Sequence, residues 1–192
     1  MKSSNLKKTV TAALMAAMTC IATMVIKFPT PTFGYIHLGD GFVLLCGAVL
    51  GPLTGGLAAG IGSMFSDIFS GYASFAPATL IIKALTAGTA GFLFHRMKRL
   101  RTEKGSSLCF LLSGIVGEIL MILGYFIYEA ALAAFGSGSF TGAALAAGIV
   151  SSAAGIPFNA VQGVAGIVIG LLLLPILKKI PDIREWVAAT RY

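Results

Sequence analysis

Charge is what this sequence has least of. Only 11% of its 192 residues are charged, and Asp and Glu together number seven. Soluble domains carry about 25% charged residues, so a fully solvated globular surface is excluded. Histidine is nearly absent as well. His37 and His95 have no second His, no Cys and no H-E-x-x-H spacing beside them, so no metal centre and no resident cofactor are expected. Cys20, Cys46 and Cys109 all lie inside apolar stretches. They read as small buried hydrophobes, without disulfide or metal spacing. Catalytic signatures are missing too. Without G-x-x-x-x-G-K-[ST] the chain does not hydrolyse ATP itself, and without G-x-S-x-G it has no nucleophile turn. Spans 1–3 and 4–6 show no repeat, which counts against a secondary transporter built on inverted halves.

What is present is apolar and continuous. Hydrophobic residues make up 57% of the chain, and the mean hydropathy is +0.91. The apolar residues come in long blocks, as in an integral membrane protein. A helix needs about 20 such residues to cross ~30 Å of hydrocarbon. Clear spans are 6–27, 78–96, 107–135 and a last one ending near Leu177. Lys7 and Lys8 precede an apolar stretch longer than a signal-peptide core, with no clear cleavage site, so it reads as a retained helix. The stretch 41–69 crosses once, or twice with a break at Gly51-Pro52, and charge decides between these. Of 14 Lys and Arg, twelve fall in three clusters. These are Lys2, Lys7 and Lys8; Arg96, Lys98, Arg99, Arg101 and Lys104; and Lys178, Lys179, Arg184 and Arg191. Positive loops stay in the cytoplasm, and only two crossings put all three clusters on that side.

The expectation is therefore an all-α bundle of six transmembrane helices, a single membrane domain over 1–192 with both termini cytoplasmic. The spans are about 6–27, 40–50, 53–69, 78–96, 107–135 and 157–177. The outer loops 28–39, 70–77 and 136–156 contain no Lys or Arg. Pro77 and Pro157 suit the first turns of spans four and six. Span two covers only about 15 Å, so the loop before it is expected to dip inward, and 136–156 holds room for a short interfacial helix. The basic residues are read as topology signals, and no nucleic-acid partner is expected.

Six charged residues remain once the cytoplasmic clusters are set aside: Lys27, Lys83, Asp40, Asp67, Glu118 and Glu129. Lys27 suits the interface, Asp40 a helix cap, and Asp67 a helix-end or interhelical contact. Lys83 lies six residues past Pro77, roughly 9 Å deep by helical rise, and Glu129 lies at similar depth. Tyr125 and Glu129 share a helix face, with Glu118 on the same stripe. Charges within spans mark substrate paths or pair with one another, so Lys83 either faces a wet cavity or pairs with Glu118 or Glu129. Asn159 and Gln162 open span six. Phe33, Tyr35, His37, Tyr72, Phe75 and Phe140 add an aromatic rim. The reading is an outward cavity for a small planar polar ligand. Its anchors are Lys83, Glu129, Asn159 and Gln162, closed over by Tyr35, His37 and Tyr125. A second pattern is a small-residue stripe on span one, Ala12, Ala13, Ala16 and Ala17, which allows close helix approach and suits docking of another subunit.

Four stretches carry a resemblance that covers nearly the whole chain. They are "GYIHLGD", "LGPLTGGLAAGIGSMFSDIF", "APATLIIKALTAGTAGF" and "IPFNAVQG". With six short spans, they resemble the substrate-binding S-component of energy-coupling factor (ECF) vitamin transporters, in the riboflavin-type or hydroxymethylpyrimidine-type branch. The resemblance implies a multi-pass protein of the cell membrane that binds a vitamin without catalysis. It implies a partner module of one transmembrane coupling protein and two cytoplasmic ATPase subunits. The family's docking A-x-x-x-A face falls on Ala12, Ala16 and their neighbours Ala13 and Ala17, and its gating loop on 28–39. Ligands in view are hydroxymethylpyrimidine, a pyridoxine-like ring or riboflavin. Two other classes remain open: a membrane enzyme using Lys83 and Glu118 as acid-base groups, and a stand-alone transporter driven by protons through Glu118 and Glu129.

Overall fold

A left-handed glycine decides where the ambiguous stretch 41–69 breaks. Gly51 has φ +86°, a conformation that a side chain disfavours. It separates α2 (Asp40–Leu50) from α3 (Pro52–Phe69), with Pro52 in the first turn of α3, where its missing N–H costs nothing. The computed structural model describes residues 3–30, 34–99, 105–138 and 141–188. Lys2, Phe33, Arg101, Lys104, Phe140 and Arg191 lie outside the described residues. The remaining helices are α1 (Ser3–Val25), α4 (Ala76–Lys98), α5 (Ser106–Gly136), α6 (Gly142–Ala153), α7 (Ile156–Leu177) and α8 (Pro181–Ala188). The four helices α1, α4, α5 and α7 are long and apolar enough to cross a membrane. Pro77 and Pro157 occupy first-turn positions of α4 and α7.

α2 is the axis of the bundle. It is apolar on every face, as a helix surrounded by others must be, and Val43, Leu45, Cys46, Val49 and Leu50 have no exposed surface. It packs against α1, α3, α4, α7 and α8. Its approach to α4 is set by paired glycines: a Cβ on Gly91 would lie 2.6 Å from the Gly47 carbonyl oxygen, so any side chain there would push the helices apart. α6, inside the loop expected at 136–156, is a helix lying along α5. Its start is capped by Thr141, whose Oγ1 accepts the Ala144 N–H at 3.1 Å. α8 was not foreseen. It tucks Ile183 and Val187 into the core, held by an ion pair from Lys7 to Asp182 at 3.1 Å and by Lys98 donating to the Val187 carbonyl at 2.9 Å.

Two short strands lie largely within the stretch expected as the first outer loop. Strands β1 (Lys27–Pro29) and β2 (Tyr35–His37) form an antiparallel hairpin pairing Lys27 with His37 and Pro29 with Tyr35. The hairpin leads straight into Asp40 at the start of α2, and so covers the end of the bundle opposite α8.

Candidate functional site

Lys83 has no exposed surface. A buried ammonium is tolerable only with a close counter-ion whose remaining lone pairs are also satisfied. Its counter-ion is Asp40, whose Oδ1 accepts from Lys83 Nζ at 2.5 Å; the partner is neither Glu118 nor Glu129. Asp40 is equally buried, and its Oδ2 accepts from Gln162 Nε2 at 2.7 Å. The other end of that amide, Gln162 Oε1, accepts the His37 backbone N–H at 2.8 Å. One polar chain thus runs from α4 through α2 and α7 to the hairpin. Asp40 is no helix cap: the cap position is Gly39, without a side-chain bond. Lys83 is no part of a wet cavity either, because its Nζ sits behind the Tyr125 ring, 5.3 Å from the centroid. Glu118 is buried close by, against Gly163 of α7.

Above this chain lies a cavity of about 20 Å³, room for about one water molecule. Six of the seven expected ligand residues line it: Tyr35, His37, Tyr125, Glu129, Asn159 and Gln162. Lys83 does not. Asp67, Thr79, Phe75, Thr30 and Gly34 complete the lining. Asp67, read from sequence as a helix-end or interhelical contact, accepts the Tyr35 hydroxyl on Oδ1 at 2.8 Å, while its Oδ2 is buried without a donor at hydrogen-bond distance and angle. Ser66 Oγ lies 3.4 Å from the same phenol. Thr79 meets the Tyr125 hydroxyl at 3.1 Å. Its signal in the sequence was its position four residues before Lys83, on one face of α4. Tyr35 stacks obliquely on Tyr72, 4.6 Å between centroids, and Phe75 meets Tyr128 edge-on at 5.2 Å. These rings continue the aromatic rim. The Nζ of exposed Lys27 stands over the Tyr35 ring at 5.6 Å.

The hairpin groups are electrostatically quiet. Burial pulls the His37 imidazole down to about 3, against the opposing pull of Asp40 and with Lys83 adding to the shift. It is therefore neutral at physiological pH, and its Nδ1 accepts the Gly39 N–H at 3.0 Å. Burial, with Asp67 next in importance, holds the Tyr35 phenol well above its usual range. Among the described residues no group of three or more His, Cys, Asp and Glu is placed to hold a metal.

The alanine stripe of α1 splits in two. Ala12 and Ala16 pack against the core, and Ala16 backs onto Gly62 of α3, where an added Cβ would strike the Ala16 carbonyl. Ala13 and Ala17 face outward, beside exposed Leu14 and Ile21.

Known proteins share this architecture. The S component of a bacterial ECF transporter superposes with a TM-score of 0.64 at 23% identity, covering 91% of this chain and 97% of that one. The S-component for biotin from an ECF-type ABC transporter gives 0.60 at 20%, covering 91% and 94%. These identities speak to the fold alone. An uncharacterised Pyrococcus woesei protein in the gap 3′ region is 35% identical over 160 residues, 83% of this chain and 93% of its own length. A sequence model of the ECF-type riboflavin transporter S component matches residues 3–179. Four apolar helices of membrane-crossing length, the S-component architecture and a match over most of its length place the chain in the ECF-type riboflavin transporter S component family.

Proposed function

We propose that this chain is the substrate-binding subunit of an ATP-driven uptake system, capturing a vitamin or vitamin precursor beneath the β1–β2 hairpin. The observation that carries this is the cavity itself, which gathers polar groups from four helices and the hairpin inside an S-component frame. Carboxyl, amide and hydroxyl groups set among aromatic rings suit a small planar heterocycle: hydroxymethylpyrimidine, a pyridoxine-like ring or riboflavin. At about 20 Å³ the cavity is collapsed, since ligand sites run to roughly 300–1,000 Å³. Entry therefore requires the hairpin to lift, which makes residues 28–39 the gate. Tyr35, His37, Tyr125, Glu129, Asn159 and Gln162 contact the ligand, and Lys83 supports the site from behind through Asp40.

Six crossings of the cell membrane follow from the charge distribution, with α2 and α3 as the short pair and both termini in the cytoplasm. A transmembrane coupling protein docks on the outward face of α1, through Ala13 and Ala17, and two cytoplasmic ATPases supply the energy. The chain binds and delivers its ligand without chemical change. Mass spectrometry of small molecules retained by the detergent-purified protein, followed by titration with each of the three candidates, tests this. Retention of one of them, with saturable binding, is expected. Absence of binding to all three would overturn the reading.

A further inference from the structure

We propose that Asp67 and the Gln162 carbonyl are the ligand's two hydrogen-bond acceptors. In this structure the hairpin serves both: the Tyr35 hydroxyl and the His37 N–H stand where two ligand donors would bind. This inference rests on the uptake reading above and adds the ligand's chemical class.

The argument begins at Gln162. A side-chain amide can face either way, and its partners decide which. The Asp40 carboxylate only accepts, because Lys83 sits on its other oxygen. Gln162 must therefore turn its NH₂ group to Asp40 and its carbonyl to the cavity. Lys83, through Asp40, is the positioning residue for that acceptor. Asp67 is the second acceptor, from α3. One oxygen accepts the Tyr35 hydroxyl; Thr79 also stands beside the carboxyl, yet the other oxygen, although buried, has no donor at hydrogen-bond distance and angle. A buried carboxylate oxygen without a donor is costly, so the group is left ready for a further donor.

Both occupied acceptors are served by β2, two residues apart on one strand. Lifting the hairpin breaks both bonds at once, and buried acceptors require replacement donors. The ligand must therefore carry at least two N–H or O–H donors on its rim, as a ring imide, an amino group or a hydroxymethyl group does. It must also lack a phosphate. Among the described residues no Lys or Arg lines the cavity, Lys83 beneath it is already paired with Asp40, Lys27 stands over the outer Tyr35 ring, and the Asp67 and Glu129 carboxyls in the wall disfavour an anion. The site selects the free vitamin over its phosphate ester.

Titrations of the full detergent-purified chain with riboflavin, riboflavin 5′-phosphate and hydroxymethylpyrimidine test this, together with Tyr35→Phe and Asp67→Asn. Tyr35→Phe keeps the ring and removes the competing donor. It should bind the preferred probe about tenfold more tightly, as expected for removing one hydrogen bond to a charged acceptor from the empty state. Asp67→Asn should weaken binding at least tenfold, and the 5′-phosphate should bind at least tenfold more weakly than riboflavin. If a probe binds the parent protein but Tyr35→Phe leaves its affinity unchanged or weaker, the exchange is wrong while the uptake function stands. Equal affinity for riboflavin and its phosphate overturns the ligand class. If no probe binds the parent protein, and pyridoxine added as a further probe does not bind either, the function reading falls and this inference with it. Should Asp67→Asn fail to fold, the Tyr35→Phe and phosphate comparisons still decide.

Discussion

Lys83 and Asp40 illustrate how a charge survives in an apolar helix. Each is fully buried, and each has the other as its counter-ion. Buried pairs often bring no advantage over well-packed apolar residues, yet breaking one is costly because the survivor stays buried and unpaired. Lys83→Met should therefore destabilise the ligand-free protein by about 3–5 kcal/mol, read as a marked fall in melting temperature in detergent. The double variant Lys83→Met with Asp40→Asn should recover a substantial part of the loss, since neutralising both removes the orphan charge. A single variant as stable as the parent would show that the pair contributes little. A lysine facing a wet cavity would tolerate this replacement and lose affinity instead; the absence of exposed surface on Lys83 is what reverses that expectation.

Among the elements, α1 and the hairpin do different work for the same reason: each is anchored along one edge and free along the other. α1 presses Ala12 and Ala16 inward and leaves Ala13 and Ala17 outside. Bulk at Ala16 would meet α3 and cost roughly 1–3 kcal/mol by overpacking. Ala17 is exposed, so the chain leaves room for bulk there. Ala17→Leu should thus keep the parent melting temperature and ligand affinity but abolish uptake in cells that carry the coupling module. Normal uptake by this variant would remove the docking role of that face, and a loss of melting temperature would reassign it to internal packing. The hairpin is anchored through Tyr35 and His37 on its cavity side, whereas Lys27, Phe28 and Pro29 of β1 are exposed. That asymmetry is what the proposed lifting about the junction with α2 requires.

Across the whole molecule, polarity is divided between two ends. Lys7, Lys98 and Lys178, from three separate clusters, meet around α8 and the start of α5. The cavity and hairpin occupy the far end. On the proposed orientation, with the cation-rich end in the cytoplasm, a cysteine at the exposed Ser74 should react in intact cells with a membrane-impermeant thiol reagent. One at the exposed Lys179 should react only after permeabilisation. The buried Cys46 and Cys109 and the half-buried Cys20 give a parent background to subtract. Labelling of Lys179→Cys in intact cells would invert the orientation and place the cavity inside.

Hydropathy, proline positions and the clustering of cations are local properties, and they carried the helical membrane class, the helix starts near Pro77 and Pro157 and the break at Gly51. Six of the seven residues proposed for the ligand line one cavity, and they could be named because polar and aromatic groups are rare at the ends of apolar helices. Partner choice was not legible. Whether Lys83 meets Glu118, Glu129 or Asp40 depends on how α2, α4 and α5 are rotated about their axes, and several rotations bury apolar side chains equally well. The same holds for the alanine stripe, whose four residues are alike in sequence until Gly62 of α3 takes Ala16 as its neighbour. It also holds for α8, too short and charged to announce itself, which forms because Ile183 and Val187 find the open end of α2. The helices were decided by the chain's own local pattern. The pairing of charges, which face of α1 is left free, and the seating of the hairpin on Asp67 and Gln162 were decided by tertiary packing, because each requires groups distant in sequence to meet at one depth.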